Sequence, residues 1–151
     1  MNKKRILLAL LAICTLLLGL SLYAQINRPY HHSSVWEVSF IQVKPGMNVA
    51  YLNYLTTDWK KEQEALKSAG ITLSYKVLTT EGHGSTDWNL MLLTEYKDLA
   101  TLEASEKKAD ALGQKLIGTD EKQMQGYKDR LAIREVMGTR LAREVVLTPD
   151  M

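Results

Sequence analysis

From Val35 onward, hydrophobic and polar positions alternate with periods that change along the chain, and each change marks an element. Val35 to Val43 carries Trp36, Val38 and Phe40 on one side and Val35, Ile41 and Val43 on the other, which predicts a strand apolar on both faces. Pro45-Gly46 ends it as a turn pair. Asn48 to Ala69 then repeats Tyr51, Leu55, Trp59, Leu66 and Ala69 at helical spacing, with Lys60, Lys61, Glu64 and Lys67 elsewhere on the circumference. Gly70 stops this helix. Ile71, Leu73, Tyr75 and Val77 alternate with Thr72, Ser74 and Lys76, so the second strand has one wet face. After a loop from Thr79 to Thr86, Trp88 to Tyr96 forms a third strand that is apolar on both faces.

The last third is written less sharply. Leu99, Leu102, Ala109 and Leu112 predict a helix over Asp98 to Leu112, interrupted at Gly113 or Gly118. Thr119 or Asp120 caps a further helix through Met124, Tyr127 and Leu131, a helical insertion between Leu112 and Gly138. Thr139 to Leu147 reads as a final strand before Pro149. The order strand, helix, strand, strand, helical region, strand is an α+β, ferredoxin-like βαββαβ split sheet with helices on one face. In that topology the first and third strands are central and the second lies at an edge, which matches two strands apolar on both faces and one that alternates. The face away from the helices then needs a cover for residues such as Trp36 or Trp88, and a second copy of the chain, sheet against sheet, supplies it.

Ahead of this domain the pattern is of another kind. A basic start, Lys3-Lys4-Arg5, precedes an apolar run from Ile6 to Leu20 and small residues at Ser21 and Ala24, the layout of an export signal with cleavage expected after Ala24 or Ser21. Left uncleaved, a stretch of about 17 apolar residues sits at the lower limit for a membrane-spanning helix, and Gln25 onward still faces outward. The expected organisation is a signal peptide over 1–24, a flexible linker over 25–34 and a single domain over 35–151. The location is extracytoplasmic, periplasmic or secreted, with a single N-terminal membrane anchor as the alternative.

Loss of the leader changes the charge. The chain holds 19 Lys and Arg against 17 Asp and Glu, and without Lys3, Lys4 and Arg5 the balance is 16 against 17, about −1 in place of +2. A nucleic-acid partner thereby loses its electrostatic support. The one cysteine, Cys14, goes with the leader, so the exported part has no disulfide, thiol nucleophile or cysteine metal site. No metal site is expected either: His31-His32 is an adjacent pair in a polar tail, without a third ligand.

Val43-Lys44-Pro45-Gly46 leading to Tyr51-Leu52, Ala69-Gly70 closing the helix, Asp87-Trp88-Asn89 opening the third strand and Glu95-Tyr96-Lys97-Asp98-Leu99-Ala100 leaving it resemble the dimeric α+β barrel superfamily. That superfamily includes antibiotic-biosynthesis monooxygenase-like and stress-response barrel proteins. The resemblance spans Val35 to Ala100 and extends to Leu147. It implies a homodimer whose sheets pair into a barrel, and it implies no particular chemistry, since members include cofactor-independent oxygenases and isomerases, haem-degrading enzymes and proteins without known activity.

Few residues invite a chemical role. His83 lies in Glu81-Gly82-His83-Gly84-Ser85-Thr86-Asp87, where His, Ser and Asp stand close together; a triad needs members converging from different elements, and a solvated turn is the plainer reading. Haem binding would have only His83 as axial ligand. Glu62 falls near the apolar stripe of the first helix and is either a base with a raised pKa or a solvated border residue. Tyr51, Tyr54, Trp59, Tyr75 and Trp88 fall on elements that this fold packs around a cavity, suited to a flat apolar ligand, although such residues also serve simply as core. Two functions follow: an exported homodimeric domain binding a small apolar or aromatic ligand or a partner protein without a cofactor, or a cofactor-independent monooxygenase or isomerase acting on an aromatic substrate through His83 or Glu62.

Overall fold

A computed structural model describes residues 29–81, 84 and 86–148. The leader, its cleavage site and His83 lie outside the described residues. The described residues divide into two compact units, one of residues 33–144 and one of residues 29–32 with 145–148. In the second, the Thr148 N–H donates to the Pro29 carbonyl at 2.9 Å, and the Tyr30 and His32 rings meet edge to face at 5.7 Å.

The elements run β1 (Tyr30–Val43), α1 (Asn48–Tyr54), a π-helical turn (Leu55–Trp59), α2 (Lys60–Ser68), β2 (Ser74–Thr79), β3 (Leu90–Tyr96), α3 (Leu99–Leu116), α4 (Asp120–Leu131) and β4 (Arg134–Leu147). The sheet has the order β2-β3-β1-β4. β3 pairs antiparallel with both β1 and β2. This is the ferredoxin-like arrangement, with the two strands that are apolar on both faces in the centre.

Local chemistry sets the boundaries. Gly46, at φ 77°, lets the chain turn after Pro45, and the Met47 N–H closes on the Lys44 carbonyl at 3.0 Å. Gly70 takes φ 70°, and its N–H reaches the Lys67 carbonyl while Ile71 reaches Leu66, the paired bonds of a Schellman stop. Asp98 caps α3 by accepting the Thr101 N–H at 2.6 Å. The first helix is not uniform, because Thr56 and Thr57 hydroxyls donate to the Asn53 carbonyl at 2.9 and 3.0 Å and the backbone widens into the π turn. The wider turn keeps Tyr51, Leu55 and Trp59, four residues apart, in line against the sheet. With Ile41, Val43 and Leu90 they form the core.

Four expectations need correction. β1 starts at Tyr30, inside the segment expected as linker, because the Ser34 hydroxyl donates to Glu144 at 2.9 Å and β4 runs on to Leu147 to pair with it. β2 and β3 start later than the alternation suggests: Ile71 and Thr72 are buried ahead of β2, and Trp88 and Asn89 precede β3. The helix expected to end at Leu112 runs through Gly113 to Leu116, and of the two glycines offered as the break Gly118, at φ 117°, makes it. β4 begins at Arg134 and continues through Gly138. Val136 packs on the core and Thr139 meets Ser39 at 3.0 Å on the same helix-side face, so alternation gains one residue at Met137-Gly138, as a bulge does.

Candidate functional site

Strand register assigns the two faces of the sheet. Trp36, Val38 and Phe40 stand opposite Glu95, Leu93 and Met91, all on the face away from the helices, with Lys76 and Leu78 of β2 beyond them. Lys76 Nζ lies 4.9 Å from the Trp36 ring, and Trp88 meets Phe40 edge to face at 5.2 Å. Trp88 therefore belongs to the open face, apart from the other aromatic candidates. Its place two residues ahead of β3, with its ring against Phe40, is what separates it from them.

On the helix side the structure brings Trp59 and Tyr75 together, their rings 5.3 Å apart at 89°. They line a cleft of about 350 Å³ with Leu52, Leu55, Thr56 and Val77. Trp59 is 9 % exposed, so one edge serves the cleft and the rest is core. The Tyr75 hydroxyl donates to Glu64 Oε1 at 2.5 Å, which fixes the ring over the cleft and raises its own pKa. A neighbouring cleft of about 370 Å³ shares Leu52 and is bounded by Val43, Thr79 and Asn89. Asn89 shapes its floor by accepting the Val43 N–H at 2.8 Å and donating to the Val43 carbonyl at 3.1 Å, both through the side chain.

Tyr51 lies deeper than the cleft lining, at 1 % exposure, stacked on Tyr54 at 5.9 Å. Burial pushes its hydroxyl up to about 12, with Arg134 pulling the other way. The sequence reading missed this surrounding: Arg130 covers Tyr54 and Arg134 covers Tyr51, at 4.8 and 5.7 Å. Two arginines four residues apart, one in the last turn of a helix and one opening a strand, were the available signal.

Glu62 is half-buried on α2, and its carboxyl is raised by burial, with Arg130 opposing. Glu37 and Tyr96 line a third cavity of about 300 Å³ under α3. Burial raises the Glu37 carboxyl above its usual 4.5 and, helped by the charges of Glu37 and Glu62, pushes Tyr96 up to about 12. A carboxyl raised in the folded state holds its proton more tightly there than in the unfolded chain. Its contribution to stability is complete below the usual value and is lost as pH rises through the folded one. Glu37→Gln is accordingly expected to raise the urea midpoint at pH 7 and to leave it unchanged near pH 4, in paired unfolding curves.

Among the described residues no group of three or more His, Cys, Asp and Glu could hold a metal ion, and no helix is long and apolar enough to cross a membrane. The triad reading of the loop before β3 cannot be placed, since His83 and Ser85 are outside those residues.

The fold is thus a ferredoxin-like α+β sheet with an aromatic cleft on its helix side. No family model and no curated protein matches the chain. Among solved structures it is similar to HapK from Hahella chejuensis, at 11% identity and TM-score 0.49 over 73% of this chain and 91% of that one. It is also similar to a nipsnap family protein with unknown function from Agrobacterium tumefaciens, at 15% identity and TM-score 0.49 over 78% and 92%. A third is a dimeric ferredoxin-like protein from an uncultured marine organism, at 12% identity and TM-score 0.47 over 80% and 93%. At these identities and scores neither activity nor assembly transfers from them.

Proposed function

We propose that this chain is an exported homodimeric binding domain that holds a small apolar or aromatic ligand, with two sheets packed open face to open face. The observation that carries the pairing is the run of Trp36, Val38, Phe40, Met91 and Leu93 across the two central strands, apolar and on the face away from the described helices. A second copy supplies a matching surface by two-fold symmetry. The leader supports export, and the Trp59–Tyr75 cleft supports the ligand class, because two perpendicular rings over aliphatic walls accept a flat apolar molecule.

The raised Glu62 carboxyl favours a second reading, a cofactor-independent monooxygenase or isomerase in which Glu62 or His83 moves a proton. One experiment separates the two. Fluorescence titration with 2-naphthol as probe is expected to weaken about tenfold or more on Trp59→Ala or Tyr75→Ala, with circular dichroism checking the fold, and to survive Glu62→Gln and His83→Gln. A turnover found for an aromatic substrate that falls by roughly 10² to 10⁴ in Glu62→Gln or His83→Gln, with binding intact, would replace the binder by the enzyme.

A further inference from the structure

Arg134 opens β4 and is 7 % exposed. Its guanidinium lies between two rings, 5.6 Å from Tyr127 and 5.7 Å from Tyr51. Those faces favour the charge, but the N–H groups around the rim still need acceptors. Nε and Nη1 of Arg134 are buried and have none. Arg130, stacked on Tyr54 at 4.8 Å, buries its own Nε without a partner, and the Tyr51 hydroxyl is buried and unpaired as well. Ring contacts join all of these residues into one cluster between α1, α4 and the start of β4.

Four buried, unsatisfied polar atoms in one cluster are a large departure from ordinary packing, in which buried donors find acceptors. All four can donate. The deficit is therefore one of acceptors, and of negative charge, because a guanidinium does not release its proton in a protein. Glu62 is a carboxylate that acts on Arg130, and it is itself half-buried and raised by burial, so it offsets that guanidinium poorly. A buried cation left uncompensated is strongly unfavourable, whereas an oxygen anion accepting several N–H and O–H groups at once supplies both charge and acceptors.

We propose that Arg134, Arg130 and Tyr51 hold a small oxyanion: a carboxylate, sulfate or phosphate group. This site is separate from the Trp59–Tyr75 cleft and does not depend on pairing of the sheets. The test uses the full-length protein at constant ionic strength, with sodium sulfate and sodium benzoate titrated in place of chloride. Thermal unfolding and isothermal titration calorimetry are the readouts. Saturable binding is expected, with a rise in Tm on the order of 5 to 10 °C at about 100 times Kd. Preference for sulfate identifies a free inorganic anion as occupant and preference for benzoate an organic acid, and either supports the site.

Arg134→Met is expected to abolish the effect. Because that variant can lose its fold, Tyr51→Phe, which keeps the ring under the guanidinium and removes only the hydroxyl, provides the second arm, with affinity lowered about tenfold. Neither anion outperforming chloride, or equal affinity in the parent and Tyr51→Phe, overturns the site. Sedimentation of the same samples keeps the readings apart, since a dimer indifferent to both anions removes the oxyanion and leaves the paired sheet standing.

Discussion

Val38→Glu is expected to convert the protein from dimer to monomer at micromolar concentration. Val38 stands in the middle of the open face, flanked on β1 by Trp36 and Phe40 and opposite Leu93 on β3. In the proposed pair a carboxylate there points at the same apolar surface of the second copy. Trp36→Glu would be a weaker test, because Lys76, 4.9 Å from that ring, stands ready to pair with the new charge. An unpaired charge forced into a buried contact costs about 3–5 kcal/mol, which raises the dimer dissociation constant by roughly 10² to 10³ or more. Sedimentation equilibrium over a concentration series measures it directly, and an unchanged dimer would place the interface elsewhere.

Ile41→Ala is expected to destabilise the fold by about 2–5 kcal/mol. Ile41 is 1 % exposed and belongs to the cluster formed by Val43, Tyr51, Leu55, Trp59 and Leu90 on the helix side of the central strand. Its backbone carbonyl also accepts the Asn89 N–H at 2.9 Å, so the strand is pinned at this position and cannot slide to fill the space. The loss includes the transfer of three methylene-sized groups and the void they leave. Urea unfolding of the parent and the variant, at one protein concentration, gives the difference. A change below about 1 kcal/mol would show that the helix layer collapses onto the sheet more freely than this packing implies.

The sequence announced the sheet through its contrasts. Val35 to Val43 and Trp88 to Tyr96 carry apolar residues on both faces, and they are the regions of the two central strands; Ser74, Lys76 and their neighbours alternate, and they lie at an edge. Gly46 and Gly70 were readable because a turn and a helix stop each require a positive φ that glycine adopts freely. Gly113 and Gly138 misled for the opposite reason: one sits inside a helix and the other beside a strand bulge, and neither position needs a positive φ. The π turn was invisible, since Thr56 and Thr57 carry no pattern that distinguishes back-bonding to Asn53 from exposure.

The site was readable in part. Trp59 and Tyr75 were assigned to one cavity from their elements and do meet across it. Trp88 was assigned to the same cavity, and only register could tell that it meets Phe40 on the opposite face. The two arginines over the Tyr51 and Tyr54 rings could not be found from periodicity, because α4 reads as a polar helix and Arg130 and Arg134 look like ordinary solvated cations within it and after it. Their placement depends on Tyr51 and Tyr54, some eighty residues earlier in the chain, coming to lie beneath them.

The central claim is that two copies cover each other's open sheet face. Sedimentation velocity of the unmodified protein, followed across about two decades of concentration, tests it most directly. The account predicts a single species with twice the mass of the chain, persisting to submicromolar concentration. A well-folded monomer throughout, with Trp36, Val38 and Phe40 left facing water, would contradict it.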